Sequence, residues 1–153
     1  MTHKLTTEQL FALDKGETTV RELFPDLFQM KVGDYYGIKI TDLIFCVTEL
    51  DKEGHPFGFG FWGKEFVFDN TLWCFKSDNW QPLTPEELQT FAKMIENEAV
   101  ERGYKEGVRV KCLDVNDAST ILKGQYFYNF ETHELWYGYA CIFKNGIWAE
   151  ILT

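Results

Sequence analysis

What this chain lacks narrows its chemistry before any motif is considered. Its four cysteines, Cys46, Cys74, Cys112 and Cys141, form no C-x-x-C pair, which removes the spacing that structural zinc and thioredoxin-type redox chemistry require. Each stands in an apolar, strand-like run and reads as a small buried hydrophobe. The three histidines, His3, His55 and His133, show no metal-ligand spacing; ordinary solvated imidazoles at a terminus, a turn and a hairpin tip account for them. Neither a metal nor a cofactor is expected. There is no G-x-S-x-G elbow, no P-loop and no H-E-x-x-H. No apolar run approaches the roughly 18 residues of a membrane span, and Met1–Glu8 lacks the apolar core of a signal peptide, which predicts a cytoplasmic protein. Positive charge is also scarce: 15 Lys and Arg stand against 24 Asp and Glu, a net charge of −9. That sign repels phosphate backbones and disfavours direct nucleic-acid binding, while it suits a basic protein partner. Solubility alone would also explain it.

Aromatic residues, by contrast, are abundant. They form 17% of the 153 residues, as 14 Phe, 7 Tyr and 5 Trp, enough apolar surface for one compact domain or two small modules sharing a core. Some recur in order. Leu72-Trp73-Cys74-Phe75-Lys76 followed by Trp80 and Leu83 parallels Leu135-Trp136, then Phe143-Lys144, Trp148 and Ile151. Lys31-Val32-Gly33 is echoed by Lys105-Glu106-Gly107. Side chains needed in both copies (Phe75 and Phe143, Trp80 and Trp148, Trp73 and Trp136) read as framework, because aromatics dominate cores. Phe61, Trp62 and Tyr137 have no counterpart and become candidates for recognition. A Trp packed locally on a strand face explains Trp62 equally well.

The pattern predicts an α+β fold: two small antiparallel β modules, at 31–83 and 105–153, joined by an amphipathic helix at 84–104, with a short helical arm at 1–30. In the arm, Thr6 with Gln9 and Thr19 with Glu22 are capping boxes. Leu23, Phe24, Leu27 and Phe28 form a cluster expected to dock the arm onto the rest. The first module reads as a meander or small curled barrel, with Asp51–Pro56 as a hairpin tip and Phe57, Phe59 and Phe61 alternating with glycine so that one strand face is nearly bare. Thr84-Pro85-Glu86-Glu87 is the strongest local signal: an N-cap, a proline at the first helical position and a box-closing glutamate. The helix should run from about Pro85 to Arg102 and stop at Gly103, burying Leu88, Phe91, Ala92, Ile95 and Ala99. Asn145-Gly146 predicts a tight hairpin before the last strand, near 147–151.

Two patterns look chemical. Gly58-Phe59-Gly60-Phe61-Trp62-Gly63 matches G-x-G-x-x-G, yet Lys64–Phe68 continues as an alternating strand rather than opening the helix that a dinucleotide site needs. Asp114 and Asp117 could act as an acid–base pair, though a polar loop explains them as well. A pairing of Cys with His distant in sequence is left open, since nothing in the spacing proposes it. The helix supplies the other candidate surface. Glu87, Met94, Glu98 and Glu101 fall within about 60° on its wheel, a methionine ringed by carboxylates that would suit a basic, partly apolar partner. A solvated helix face with Met94 at the edge of the core is the plainer account.

Three segments carry a resemblance: Leu5–Leu13 with Thr18–Pro25; Arg102-Gly103-Tyr104-Lys105-Glu106-Gly107-Val108; and Cys141–Ala149. Together they resemble a group of small uncharacterised accessory proteins of phages and prophages of Bacteroidetes-type bacteria. The likeness covers most of the chain but not Asp51–Trp62, and it carries no catalytic residues. It implies an accessory protein acting inside an infected cell. The expectation is therefore a non-catalytic, acidic protein that binds another protein, with an anti-CRISPR-like inhibitor covering the basic surface of a host defence nuclease as one form. A carbohydrate or small-ligand module using Phe61 and Trp62, a structural phage component, and an enzyme with dispersed residues are the alternatives.

Overall fold

The computed structural model describes residues 6–8, 29–69, 79–114 and 118–152. The chain divides into two compact units, Met1–Met30 and Lys31–Thr153. In the first, Thr6 immediately precedes helical Thr7 and Glu8; Gln9 of the first predicted box, the second box and the Leu23–Phe28 cluster lie outside the described residues.

The second unit is α+β and antiparallel. Its strands are β1 (Tyr35–Ile38), β2 (Leu43–Leu50), β3 (Pro56–Trp62), β4 (Glu65–Asp69), β5 (Gln81–Pro82), β6 (Arg109–Lys111), β7 (Ser119–Ile121), β8 (Tyr126–Asn129), β9 (Glu134–Tyr137), β10 (Ala140–Lys144) and β11 (Ile147–Trp148). Between β5 and β6 runs α1 (Pro85–Arg102). A five-stranded sheet has the order β4-β3-β2-β1-β5, a four-stranded sheet β11-β10-β9-β8, and β6 pairs with β7. Turn chemistry sets the connections. Asp51 Oδ1 accepts from the Glu53 and His55 amides, each at 2.8 Å, closing the β2–β3 hairpin. Asn145 and Gly146 adopt φ of 50° and 92°, the double left-handed turn that joins β10 to β11.

The repeated letters mark repeated hydrogen bonding. Gly33 and Gly107 both take positive φ, 93° and 88°, a conformation that is cheap only without a Cβ. Each lies in a turn where the next amide donates to the lysine carbonyl: Asp34 to Lys31 and Val108 to Lys105, both at 3.2 Å. Gly33 N–H then donates to the Val47 carbonyl while Val47 N–H donates to Asp34; Gly107 and Leu122 with Val108 reproduce this exchange. The segments after the two tryptophans also return to the opening strands. Leu83 N–H donates to the Tyr35 carbonyl, and Ile151 bridges Val110. The tryptophans themselves are packed differently, Trp80 edge-on to Tyr36 and Trp148 stacked on Tyr104. Trp73 and Phe75 lie outside the described residues. The two halves also differ in their sheets, because β7 is only three residues long and does not continue the sheet as β2 does.

α1 is built as its sequence predicts. Thr84 Oγ1 accepts from the Glu87 amide, the Glu87 carboxylate accepts from the Thr84 amide, and Gly103 ends the helix at φ 97°. Phe91, Ile95 and Ala99 are fully buried, with Leu88 and Ala92 packed at the margin. The Phe91 ring lies 5.2 Å from Tyr35, 6.0 Å from Phe59, 5.7 Å from Phe61 and 6.1 Å from Tyr128. It therefore touches both large sheets. A second seam joins those sheets directly, Phe59 and Phe66 lying 5.0 and 5.9 Å from Phe143.

The glycines of β3 correct one expectation. They do not leave a bare face. A Cβ on Gly58 would come within 1.8 Å of the Cys46 carbonyl, and one on Gly60 within 2.0 Å of the Ile44 carbonyl. Both are buried where β3 approaches β2. Close backbone approach explains the G-x-G-x-x-G spacing without a nucleotide. The continuous apolar run of β2 has a similar cause: Cys46 on one face and Phe45 and Val47 on the other are all fully buried.

Replacing Phe91 with Ala should remove the ring shared by both sheets. A loss of about 3–5 kcal/mol is expected, read as a lower urea midpoint. Thr84→Ala should cost about 1 kcal/mol through the cap alone; an equal loss for the two would contradict the placement of Phe91 at the centre.

Candidate functional site

The residues singled out as recognition candidates separate into different environments. Trp62 is 57% exposed. Phe61, its neighbour on β3, points to the opposite face by strand alternation and is 1% exposed, packed on Phe66 and Phe91. Tyr137 is 8% exposed, its ring edge-on to Tyr126 at 4.8 Å. Phe61 and Tyr137 are thus core residues, and the expected aromatic patch reduces to Trp62. The absence of a repeat counterpart was a poor guide to exposure, because the halves close over their aromatics with different strands.

The acidic face of α1 is also divided. Glu87 is committed to the cap and lies roughly 16 Å along the axis from Glu98, at 1.5 Å per residue. Wheel angle alone had grouped them. Met94, Glu98 and Glu101 do come together, with Lys64, Asn97 and Val100, around a groove of about 530 Å³ whose floor includes Phe61. Met94 is half-buried against the core. Glu98 accepts from Arg102 Nε at 2.7 Å, and the guanidinium lies over the Phe66 and Trp148 rings at 5.3 and 4.8 Å. Glu101 and Val100 are exposed on the rim. The groove therefore has an apolar floor, one carboxylate already neutralised by Arg102, one facing solvent and one cation, Lys64, in its lining.

Sequence spacing missed a polar cluster linking the two halves. The Tyr35 hydroxyl on β1 lies 2.8 Å from both the Tyr128 hydroxyl on β8 and His133 Nδ1 in the β8–β9 turn. Cys46 Sγ on β2 lies 3.5 Å from the same nitrogen. Burial is the chief cause of every shift here. It pushes the Tyr35 and Tyr128 phenols upward and the Cys46 thiol up to about 12. It lowers His133, against the opposing pull of Asp34 and Glu134. Cys46 is wholly buried, so its sulfur is a protonated thiol without access to a substrate, not an activated nucleophile. With His133 neutral, Tyr35 can donate to Nδ1 while accepting from Tyr128. Nothing in the sequence marked the cluster; the positive φ of His133, 59°, a conformation tolerated by few side chains, is visible only in the structure.

The remaining candidates do not assemble. His55 pairs with Asp51 at 3.0 Å at the exposed hairpin tip. Asp114 is exposed, and Asp117 lies outside the described residues. Among the described residues no group of three or more His, Cys, Asp or Glu is placed to hold a metal, and no helix is long and apolar enough to cross a membrane. No protein family, curated protein or solved structure matches the chain.

The His133 cluster predicts a pH dependence. Its folded pKa lies below the unfolded value of about 6.5, so the unfolded chain binds the proton more readily. The contribution to stability is present above that value and is lost as pH falls towards the folded pKa. Melting temperature should therefore drop between pH 8 and pH 5. His133→Asn keeps a residue that accepts positive φ and should flatten that pH profile; an unchanged slope would assign the effect elsewhere.

Proposed function

We propose that this chain is a non-catalytic, acidic accessory protein that binds a basic protein, using the flank of α1 that faces the β3–β4 turn. The groove of about 530 Å³ bordered by Met94, Val100 and Glu101 is the observation that carries this reading. It combines an adaptable methionine, an exposed aliphatic side chain and a free-standing carboxylate, the mixture that suits a positively charged, partly apolar surface. The net charge of −9 would steer such a partner towards it. The form consistent with the phage-type resemblance is a cytoplasmic inhibitor that occupies the nucleic-acid-binding surface of a host defence nuclease. A carbohydrate platform has less support, since Trp62 alone of its aromatics is exposed.

The test is affinity capture from nuclease-treated host lysate, followed by titration of the captured protein against variants. Val100→Asp with Glu101→Lys should weaken binding about tenfold or more, equivalent to about 1.4 kcal/mol. Both positions are exposed, so the melting temperature should hardly move. Unaltered affinity would remove α1 as the contact. Raising salt should also weaken binding through slower association.

A further inference from the structure

Every sheet edge offers unpaired backbone groups to another chain, and folded proteins usually blunt them with charge, proline or shortness. Three outer strands of the two large sheets follow that rule. β4 begins and ends with an acid, Glu65 and Asp69; β5 is two residues long and contains Pro82; β11 is two residues long. The fourth, β8, does not. Its sequence is Tyr-Phe-Tyr-Asn, with no charge and no proline. It is the outer strand of its sheet.

Hydrogen bonding shows which groups face outward. Gln125 and Asn129 carbonyls accept from Gly138 and His133 on the β9 side, at 2.9 and 2.8 Å. In an antiparallel ladder the alternation then turns the amides and carbonyls of Tyr126 and Tyr128 away from β9. Among the described residues no backbone hydrogen bond to these groups is found on that outer side. They border an open groove of about 500 Å³, whose opposite wall is Gln89, Ala92 and Glu96 of α1, with Phe130 and Glu131 at one end. Those helix residues lie on the flank opposite Met94 and Glu101, about 100° to the other side of the buried stripe. Small Ala92 faces the strand edge, and the two carboxylates sit at the margins.

We propose that this groove is a β-augmentation site: an extended, basic segment of a partner protein adds to the outer edge of β8 as a fifth strand and runs alongside the flank of α1. Backbone pairing with Tyr126 and Tyr128 supplies affinity, while alternate side chains of the segment meet Ala92 and Phe130 or reach Glu96 and Glu131. At about 3.3 Å per residue the four residues of β8 match a segment of four or five. The occupant is a basic chain because the charges bordering the groove are Glu131 and Glu96, the latter also 3.6 Å from Lys93 on its own helix. This site is separate from the groove beside Met94 and does not depend on it.

The probe is a fluorescent peptide of alternating Lys/Arg and Val, eight residues long, measured by anisotropy against the whole protein. Three controls accompany it: the same peptide N-methylated at alternate amides, a Glu/Val peptide, and the variant Ala92→Trp, which fills the groove from the half-buried margin of the helix. Expected results are binding of the basic peptide, at least tenfold weaker binding after N-methylation or with Ala92→Trp, none of the acidic peptide, and slowed hydrogen exchange at the Tyr126 and Tyr128 amides. Circular dichroism checks that Ala92→Trp is folded; if it is not, Glu96→Lys with Glu131→Lys replaces it and should also weaken binding tenfold. No binding, or binding indifferent to N-methylation and to the groove variants, would overturn the proposal. Self-association of the protein through β8 would overturn it too, because the occupant would then be a second copy.

Discussion

A single ring joins what the chain holds far apart. Phe91 projects from α1 into contact with Tyr35, Phe59 and Phe61 of one sheet and with Tyr128 of the other. Neither sheet is large enough to bury its own aromatic face, so each depends on the helix and on the other sheet. Phe143, wholly buried against Phe59 and Phe66, extends the same seam. With the centre so densely aromatic, the glycines of β3 become necessary: the strands can close over the rings only where their backbones approach without Cβ atoms.

The same seam carries a polar constraint. Tyr35 has its ring edge against Phe91 and its hydroxyl in the cluster of Tyr128, His133 and Cys46. Aromatic packing sets distance between the halves, while hydrogen bonding among buried groups sets register, since a misplaced partner would strand a buried hydroxyl. The helix then serves two ends. Its apolar stripe is spent inward, and its two flanks border grooves of different chemistry, one rimmed by Met94 and Glu101, the other by the backbone edge of β8.

Local chemistry made much of this legible. Thr84, Pro85 and Glu87 specify the start of α1 because capping needs only neighbouring atoms, and Gly103 specifies its end for the same reason. Asp51–Pro56 and Asn145-Gly146 announce their hairpins through side-chain and φ requirements of a few residues. The Lys-x-Gly repeat marks equivalent turns, down to the strand carbonyls they bond. What failed was inference about surroundings. Phe61 and Trp62 are adjacent letters with opposite fates, and Glu87 and Glu98 share a wheel angle but not a site. β7 was overlooked because Ser119–Ile121 has too few apolar residues to show a period.

The residues alone determined the α+β antiparallel class, the acidic charge, the bounds of α1 and the principal turns, since each depends on composition or on atoms within a few positions. Tertiary structure decided which aromatics are core, which carboxylates are free, and that Cys46 meets His133 across 87 positions in the chain. It also left the outer side of β8, the side away from β9, without a pairing strand among the described residues. Such facts depend on which strand lies beside which, and that is settled by the packing of distant segments rather than by any local preference.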